Sequence, residues 1–217
     1  MNNPTTSITL VRHGHVHNPD GLIYGRLPGF RLSEVGRLQA QAAAISLRNT
    51  SLTALYASPQ PRAVETAEIL RAQVADLPVT IDAQIDEINS YFEGHPASEV
   101  EARGWDLYTG VGDGYEVPED IAARGAQFIA DVRATYRGHH IAAVTHGDVI
   151  AFTILHTMRA RVHVSQKHLL DRFGIHDRYP ATASLTTLTY RTSDPNEVPT
   201  LTYNRPYDDS LALATLS

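Results

Sequence analysis

The chain contains no cysteine and a single lysine, Lys167, among its 217 residues. The absence of cysteine excludes a disulfide framework and a thiol nucleophile, and it fits a protein kept in a reducing compartment. The scarcity of lysine and a formal net charge of −6 argue against a nucleic-acid partner, because binding to a phosphate backbone draws on clustered Lys and Arg. A locally positive pocket for a small anion is compatible with this overall charge.

The sequence also lacks a long apolar run near its start. Residues 1–7 are polar and carry no basic flank, so they resemble neither a signal peptide nor a transmembrane helix. We therefore expect a cytoplasmic location and no membrane partner. A chain of this length suits one domain, 1–217, which buries roughly 70% of its extended-chain surface without help from a metal or a disulfide. Residues 208–217 are expected to form a loose tail or an extra helix.

Short β-branched segments alternate with helical stretches along the whole chain. This alternation predicts the α/β class, as a single-domain three-layer α/β/α sandwich with a mostly parallel central sheet. The expected strands lie near residues 7–12, 53–57, 79–82, 141–145, 182–190 and 199–203. The expected helices are 33–48, with Ser33 as N-cap, then 61–75, 96–105, 118–137 and 148–158. Stretches rich in Gly and Pro, 18–30 and 109–118, are expected to be loops.

Arginine and histidine follow three of the predicted strands. Arg12 and His13 end the first strand, Arg62 lies in the first turn of the helix after the second strand, and His146 ends the strand before Gly147. Ligands of α/β proteins bind outside the carboxyl ends of the strands. Guanidinium groups offer planar, bidentate donors that match phosphate. The pattern therefore predicts a site for a phosphate-like anion.

Five segments together resemble the histidine phosphatase superfamily, in its phosphoglycerate mutase-like branch. They are LVRHG at 10–14, LSEVGRLQA at 32–40, ASPQPRAVETAE at 57–68, DEINSYFEG at 86–94 and VTHGDVI at 144–150. The resemblance implies a phosphoglycerate mutase-like fold and a phosphatase that hydrolyses small phosphate monoesters through a phosphohistidine, without a metal or a cofactor. Phosphoglycerate mutase activity is the nearer alternative, which the short chain disfavours because it leaves less room for an extra helical segment.

The same resemblance assigns a role to each residue of the motifs. His13 would attack phosphorus, Arg12 and Arg62 would hold its oxygens, and His146 would donate to the transferring group. Glu87 would protonate the leaving group, and an anionic substrate beside it should raise its pKa. Asp148 is the alternative proton donor, since a more distant branch of the superfamily places its acid two residues after the second histidine.

Substrate contacts are expected from Asn18, Tyr24 and Arg26. The sequence departs from the family here, because Val16 stands where the family commonly has a hydroxyl residue and Asn18 comes one position early. The motif after the acid is also shortened. The substrate is thus expected to be a small phosphorylated molecule, whereas its leaving group and the oligomeric state are left open.

Two other classes of function compete with this interpretation. His13, His15 and His17 alternate, and on a strand they would share one face and could bind Zn²⁺ in a metallohydrolase. The turn expected after Gly14 and the absence of a carboxylate–histidine ligand pair argue against that zinc site. A non-catalytic phosphate-binding module would be expected to have lost His13 or Arg62, and both are present.

Overall fold

The computed structural model describes residues 5–74 and 77–213, which form a single α/β domain around a six-stranded sheet. The strand order is β3-β2-β4-β1-β5-β6. The first four strands in this order are parallel, whereas β5 pairs antiparallel with β1 and β6 antiparallel with β5, which confirms a mostly parallel sheet. The strands are β1 (Thr6–Arg12), β2 (Leu52–Ala57), β3 (Val79–Ile81), β4 (His140–Thr145), β5 (Leu185–Tyr190) and β6 (Thr200–Asn204).

Helices cover both faces of the sheet and complete the three predicted layers. They are α1 (Glu34–Leu47), α2 (Pro61–Val74), α3 (Ala97–Glu101), α4 (Pro118–Thr135), α5 (Gly147–Thr157) and α6 (Asp209–Leu213). Alternate strand residues supply the two cores: Ile8 and Leu10 pack in the cluster with α4 and α5, and Val11 packs in the cluster with α1 and α2. Within the described residues, no helix is long and apolar enough to cross a membrane.

The structure corrects two of the predicted boundaries. The helix expected over 96–105 is limited to α3, because Gly104 and Trp105 both have positive φ angles, which an α-helix cannot accommodate. The strand expected from residue 182 begins at Leu185, since Ala183 also has a positive φ. In the expected C-terminal tail, Asp209–Leu213 form α6, while residues 214–217 lie outside the described part of the chain.

The start of α1 packs directly against the loop that follows β1. Ser33 caps the helix, as predicted, by accepting a hydrogen bond from Gly36 N at 3.0 Å. A Cβ on Gly14 would lie 2.3 Å from Gly36 O, and a Cβ on Gly36 would lie 2.0 Å from His15 O. Neither contact could be relieved by a side-chain rotation because the obstructing atoms belong to the backbone. Glycine at both positions therefore allows the helix to support the loop.

The carboxyl ends of β1, β4 and β2 are adjacent in the sheet. Arg12 is in register with Thr145, and Ala57 with Val144. The residues immediately after these strands therefore meet at one edge, which places His13, Ser58 and His146 side by side.

Candidate active site

His13 lies buried where β1 ends, with one ring nitrogen held by its own loop. Its Nδ1 is 2.8 Å from the carbonyl oxygen of Gly14. A carbonyl oxygen can only accept, so Nδ1 carries the proton and Nε2 keeps a lone pair. Burial is the largest cause that lowers the pKa of His13 well below its usual value, and the charges of Arg62, His146 and Arg12 add to it. The ring is therefore a neutral imidazole with an available nucleophilic atom.

Arg62 occupies the middle of the cluster and is fully buried in the first turn of α2. Its Nε donates to His13 Nε2 at 3.3 Å, and one terminal nitrogen donates to Glu87 Oε2 at 3.0 Å and contacts His146 Nδ1 at 3.3 Å. The same terminal nitrogen donates to the carbonyl oxygen of Gly25 at 2.8 Å. Arg62 thus contacts His13, Glu87 and His146, three of the residues to which the resemblance assigns a role.

Two buried guanidinium nitrogens at this site have no protein acceptor. They are Nε of Arg12 and the second terminal nitrogen of Arg62, whereas one terminal nitrogen of Arg12 donates to the carbonyl oxygen of Pro180 at 2.8 Å. A buried donor without an acceptor costs free energy, so unpaired donors of this kind are uncommon in protein interiors. An anion with several oxygens would supply the missing acceptors.

His146 is buried at the end of β4 and is oriented by a chain of hydrogen bonds. Its Nε2 is 2.7 Å from Ser58 Oγ, and that hydroxyl donates to Asp86 Oδ1 at 3.1 Å. Because the hydroxyl hydrogen is used on Asp86, Ser58 accepts from His146 Nε2. The same carboxylate oxygen of Asp86 accepts from Gln60 Nε2 at 2.8 Å. The other ring nitrogen, Nδ1, is thereby turned toward Glu87 and Arg62.

Glu87 joins the cluster through an ion pair that the sequence did not predict. Its Oε2 lies 3.0 Å from Arg62 and 3.1 Å from His146 Nδ1. Burial favours the neutral acid, but the charge and hydrogen bond of His146 and the charge of Arg62 outweigh it, so the pKa of Glu87 lies well below its usual value. The predicted rise in this pKa concerned the site with an anionic substrate bound and stays a prediction; without an anion, the hydrogen bond from His146 and the charge of Arg62 stabilise the carboxylate.

Asp148 lies in a different environment, although it is only two residues from His146. Its carboxylate accepts from Tyr108 at 2.5 Å, from Tyr179 at 2.6 Å and from Lys167 at 2.9 Å. These contacts occupy both of its oxygens in a buried ion pair. Of the two candidate acids, Glu87 is the one placed beside His13 and His146.

The alternating histidines do not form the metal site that the rival interpretation required. β1 ends at Arg12, so the three residues share no strand face; His15 Nδ1 is bonded to Ser33 at 2.8 Å and His17 is exposed. Within the described residues, the group with metal-ligand spacing is instead His13, Glu87 and His146, whose ligand atoms lie within 4.8 Å of one another. Arg62 donates to His13 and Glu87 and contacts His146, so a guanidinium already occupies the position between them.

Of the three residues predicted to bind substrate, two line the cavity beside the cluster and one does not. Asn18 and Tyr24 line the cavity beside the cluster, but Arg26 does not. Arg26 instead donates to the backbone oxygen of Glu87 at 2.7 Å and to Glu116 at 3.0 Å. Asn18 braces its own loop through both the N–H and the C=O of Leu22, and the ring of Tyr24 lies 4.6 Å from the Arg62 guanidinium carbon.

Several residues that support the cluster were missed by sequence reasoning. Ser58 and Asp86 lie inside the quoted motifs, yet no pattern in one sequence shows that they bond to each other. Arg124, far along the chain in α4, donates to the backbone oxygens of Gln84, Asp86 and Glu87. Nothing near Arg124 in the sequence marked it, because its partners are brought to it only by folding.

The chain matches the model of the histidine phosphatase superfamily (branch 1) over residues 8–198. It belongs to this superfamily. An uncharacterized protein of Mycobacterium tuberculosis is 38% identical over 148 residues, which cover 65% of this chain and 73% of that relative. The family assignment made from the five motifs is therefore confirmed.

Solved structures confirm the phosphoglycerate mutase-like fold of this superfamily member. A mycobacterial glucosyl-3-phosphoglycerate phosphatase aligns with a TM-score of 0.72 at 24% identity, covering 92% of this chain and 97% of that chain. A phosphoglycerate mutase from Bacillus anthracis aligns with a TM-score of 0.71 at 18% identity, covering 100% of this chain and 99% of that one. At these identities the likeness concerns the fold.

Proposed function

We propose that this histidine phosphatase superfamily member hydrolyses small-molecule phosphate monoesters through a phosphohistidine at His13. The observation that carries the proposal is the neutral His13 ring, whose Nε2 lone pair lies among the buried side chains of Arg62 and His146. A phosphate dianion repels nucleophiles, so its attack requires cations on the nonbridging oxygens and a nucleophile held in line. The unpaired nitrogens of Arg12 and Arg62 are suited to those oxygens.

In the first step, the lone pair of His13 Nε2 forms a bond to phosphorus while the ester P–O bond breaks. Arg12, Arg62 and His146 stabilise the charge on the nonbridging oxygens. The phosphoryl oxygens accept hydrogen bonds from Arg62 and His146 in place of the Glu87 carboxylate, and they bring negative charge close to Glu87. Both changes raise the pKa of Glu87 relative to the anion-free protein, so that it holds a proton for the leaving oxygen.

In the second step, water attacks phosphorus and the P–N bond breaks. The Glu87 carboxylate takes a proton from that water, and His13 returns to a neutral ring with its proton on Nδ1. Gly14 O keeps that proton in place throughout, which holds Nε2 in line with phosphorus. The mutase alternative differs only in the acceptor, which would be a hydroxyl of a second substrate instead of water.

The proposed reaction uses no metal and no cofactor. Arg62 supplies the positive charge that a metal ion would otherwise provide between His13, Glu87 and His146. The proposed partner is a small phosphorylated substrate. A cytoplasmic location without a membrane partner or a nucleic-acid partner stays a prediction from the sequence.

Trapping the intermediate tests the proposal. Rapid quenching of the protein with a ³²P-labelled ester should give an acid-labile label that maps to His13, and His13→Ala should lose the label and essentially all turnover while keeping its circular dichroism spectrum. Label on a serine or an aspartate, or no label under rapid quench, would overturn the proposal. Release of inorganic phosphate, as opposed to transfer to an added alcohol, distinguishes the phosphatase from the mutase.

A further inference from the structure

A cavity of about 420 Å³ opens beside the proposed phosphate position, on the side where a leaving group would lie. This volume falls within the range of about 300–1,000 Å³ typical of pockets for drug-sized ligands, so a three-carbon acid would fill only part of it. Much of its wall is apolar and is formed by Leu22, Ile23, Ile88, Trp105 and Leu107, which lie in loops, and by Ala97 at the start of α3. The cavity therefore suits a leaving group with an apolar face.

Trp105 is held at this wall in an unusual backbone conformation. Its φ is 62°, a left-handed value that costs a bulky residue free energy, and its N–H is bonded to Val100 O at 2.9 Å where α3 ends. The side chain is 44% exposed even though it lines the cavity. A large, exposed aromatic face at a cavity wall is suited to stacking against a ring.

The charges around the cavity leave no free cation for a second anionic group. Among the described residues that line it, the charged side chains are Arg12 and Glu87 at the phosphate position, and Lys167 and Asp148, which neutralise each other at 2.9 Å. His168 also lines it, and burial and the charge of Lys167 lower its pKa, so its ring is neutral. Its Nε2 has no protein partner and could pair with a hydroxyl. A carboxylate beside these groups would meet no unpaired cation and would lie near the negative charges of Glu87 and Asp148.

We propose that the cavity binds the leaving group of a phosphorylated sugar or nucleoside, that is, an uncharged alcohol bearing a ring that stacks on Trp105. The inference rests on the proposed function and names the substrate class for it. It predicts that a small anionic alcohol is a poor leaving group for this protein, in contrast to an alcohol that is neutral and cyclic.

The first test compares kcat/KM across a set of esters. Glucose 6-phosphate, ribose 5-phosphate and a nucleoside 5′-monophosphate should include a substrate whose kcat/KM exceeds that of 3-phosphoglycerate and phosphoserine by at least about tenfold, because the cavity offers no free cation to an anionic leaving group. A preference for either anionic substrate would overturn the inference while leaving the phosphatase proposal in place. If no ester were hydrolysed, p-nitrophenyl phosphate included, the proposed function would be overturned. The inference about the cavity would then be decided by the binding measurement alone.

Binding can be read directly because Trp105 is the only tryptophan in the chain. In the His13→Ala variant, saturating ring-bearing esters should change the tryptophan emission, whereas inorganic phosphate and 3-phosphoglycerate should change it little. Emission that responds to 3-phosphoglycerate but not to any ring-bearing ester would contradict the inference, and so would emission that responds to none of them.

Substitution of the stacking residue gives a second, kinetic readout. Trp105→Ala should raise KM for the preferred ring-bearing ester by about 3- to 10-fold with a smaller change in kcat, and Trp105→Phe should restore most of the loss. Inhibition by inorganic phosphate should stay unchanged, since the phosphate position is intact. Tyr91→Ala is the matched control, because Tyr91 is another exposed aromatic residue and does not line the cavity. Equal effects of the two alanine variants would overturn the assignment of Trp105.

Discussion

The two carboxylates that the sequence offered as proton donors, Glu87 and Asp148, lie in different environments. Glu87 lies between Arg62 and His146 at the phosphate position, whereas Asp148 is buried among two tyrosine hydroxyls and Lys167. A general acid must come within hydrogen-bonding reach of the leaving oxygen and must exchange protons during the reaction. Glu87 can exchange its partners for a phosphoryl group, while Asp148 would have to break three buried contacts.

The proton-donor assignment predicts a dependence on the leaving group. Glu87→Gln should slow the hydrolysis of alkyl phosphates by roughly 10²- to 10⁴-fold, because general acid catalysis is worth about that much. The phosphorylation step with p-nitrophenyl phosphate should suffer far less, since its leaving group needs little protonation, and burst kinetics separate this step from the later hydrolysis. Asp148→Asn is the comparison variant. If it showed the leaving-group dependence and Glu87→Gln did not, the assignment would be wrong.

The pKa shifts of the anion-free site predict the pH dependence of kcat/KM. His13 stays neutral below about pH 6.5, where a free imidazole would protonate, because its pKa is lowered. Glu87 is ionised at that pH, because its pKa is also lowered, so the proton that it donates must arrive with the substrate. A phosphate monoester loses that proton near pH 6.

For an alkyl phosphate, kcat/KM should therefore be highest on the acidic side and should fall about tenfold per pH unit above roughly pH 6. A pH series of initial rates measures this. A profile that stays flat from about pH 6 to pH 8 would show that the proton comes from another source.

At the scale of elements, the first turn of α1 supports the nucleophile. Ser33 accepts from Gly36 N and contacts His15 Nδ1, and Gly14 lies against Gly36 without room for a Cβ. The Ser33 side chain that caps α1 therefore also contacts the loop that follows the nucleophile. A change in the cap should affect both the stability of the domain and the position of His13.

Ser33→Ala should lower the free energy of unfolding by about 0.5–2 kcal/mol, the usual cost of losing an N-cap hydroxyl. Urea unfolding followed by circular dichroism measures it. Ser51→Ala is a suitable control because Ser51 is exposed and precedes β2. Equal stability of the two variants would show that the cap contributes little to this domain.

At the scale of the whole molecule, two apolar cores, one on each side of the sheet, hold in place the strand ends that carry the site. The buried clusters include Ile141 and Phe152 on one side and Leu55 and Leu70 on the other. Because the proposed reaction uses no metal, millimolar EDTA should leave both turnover and the melting temperature unchanged. Vanadate, which mimics the five-coordinate phosphoryl group, should inhibit and raise the melting temperature by binding to the folded state. Loss of activity in EDTA that Zn²⁺ restores would favour the metallohydrolase.

The sequence by itself determined the layers, most of the helix and strand positions and the chemical types at the site. The alternation of strand-like and helix-like segments predicted the layers, Ser33 caps α1 as expected, and α2 begins at residue 61 as expected. His13, Arg62 and His146 could be predicted together because parallel strands bring their carboxyl ends to one edge. These features depend on residues that are neighbours along the chain, or on the parallel arrangement of strands that alternating strands and helices favour.

Only the tertiary structure decided which groups are joined by hydrogen bonds and ion pairs. The lowered pKa of Glu87 depends on Arg62 and His146, which come from other elements, and the network that holds Asp148 comes from Tyr108, Lys167 and Tyr179. Electrostatic interactions change over a few ångströms, and one sequence records no distances between distant residues. The same reason explains why the positive φ of Trp105 and the neutral wall of the cavity could be seen only in the folded chain.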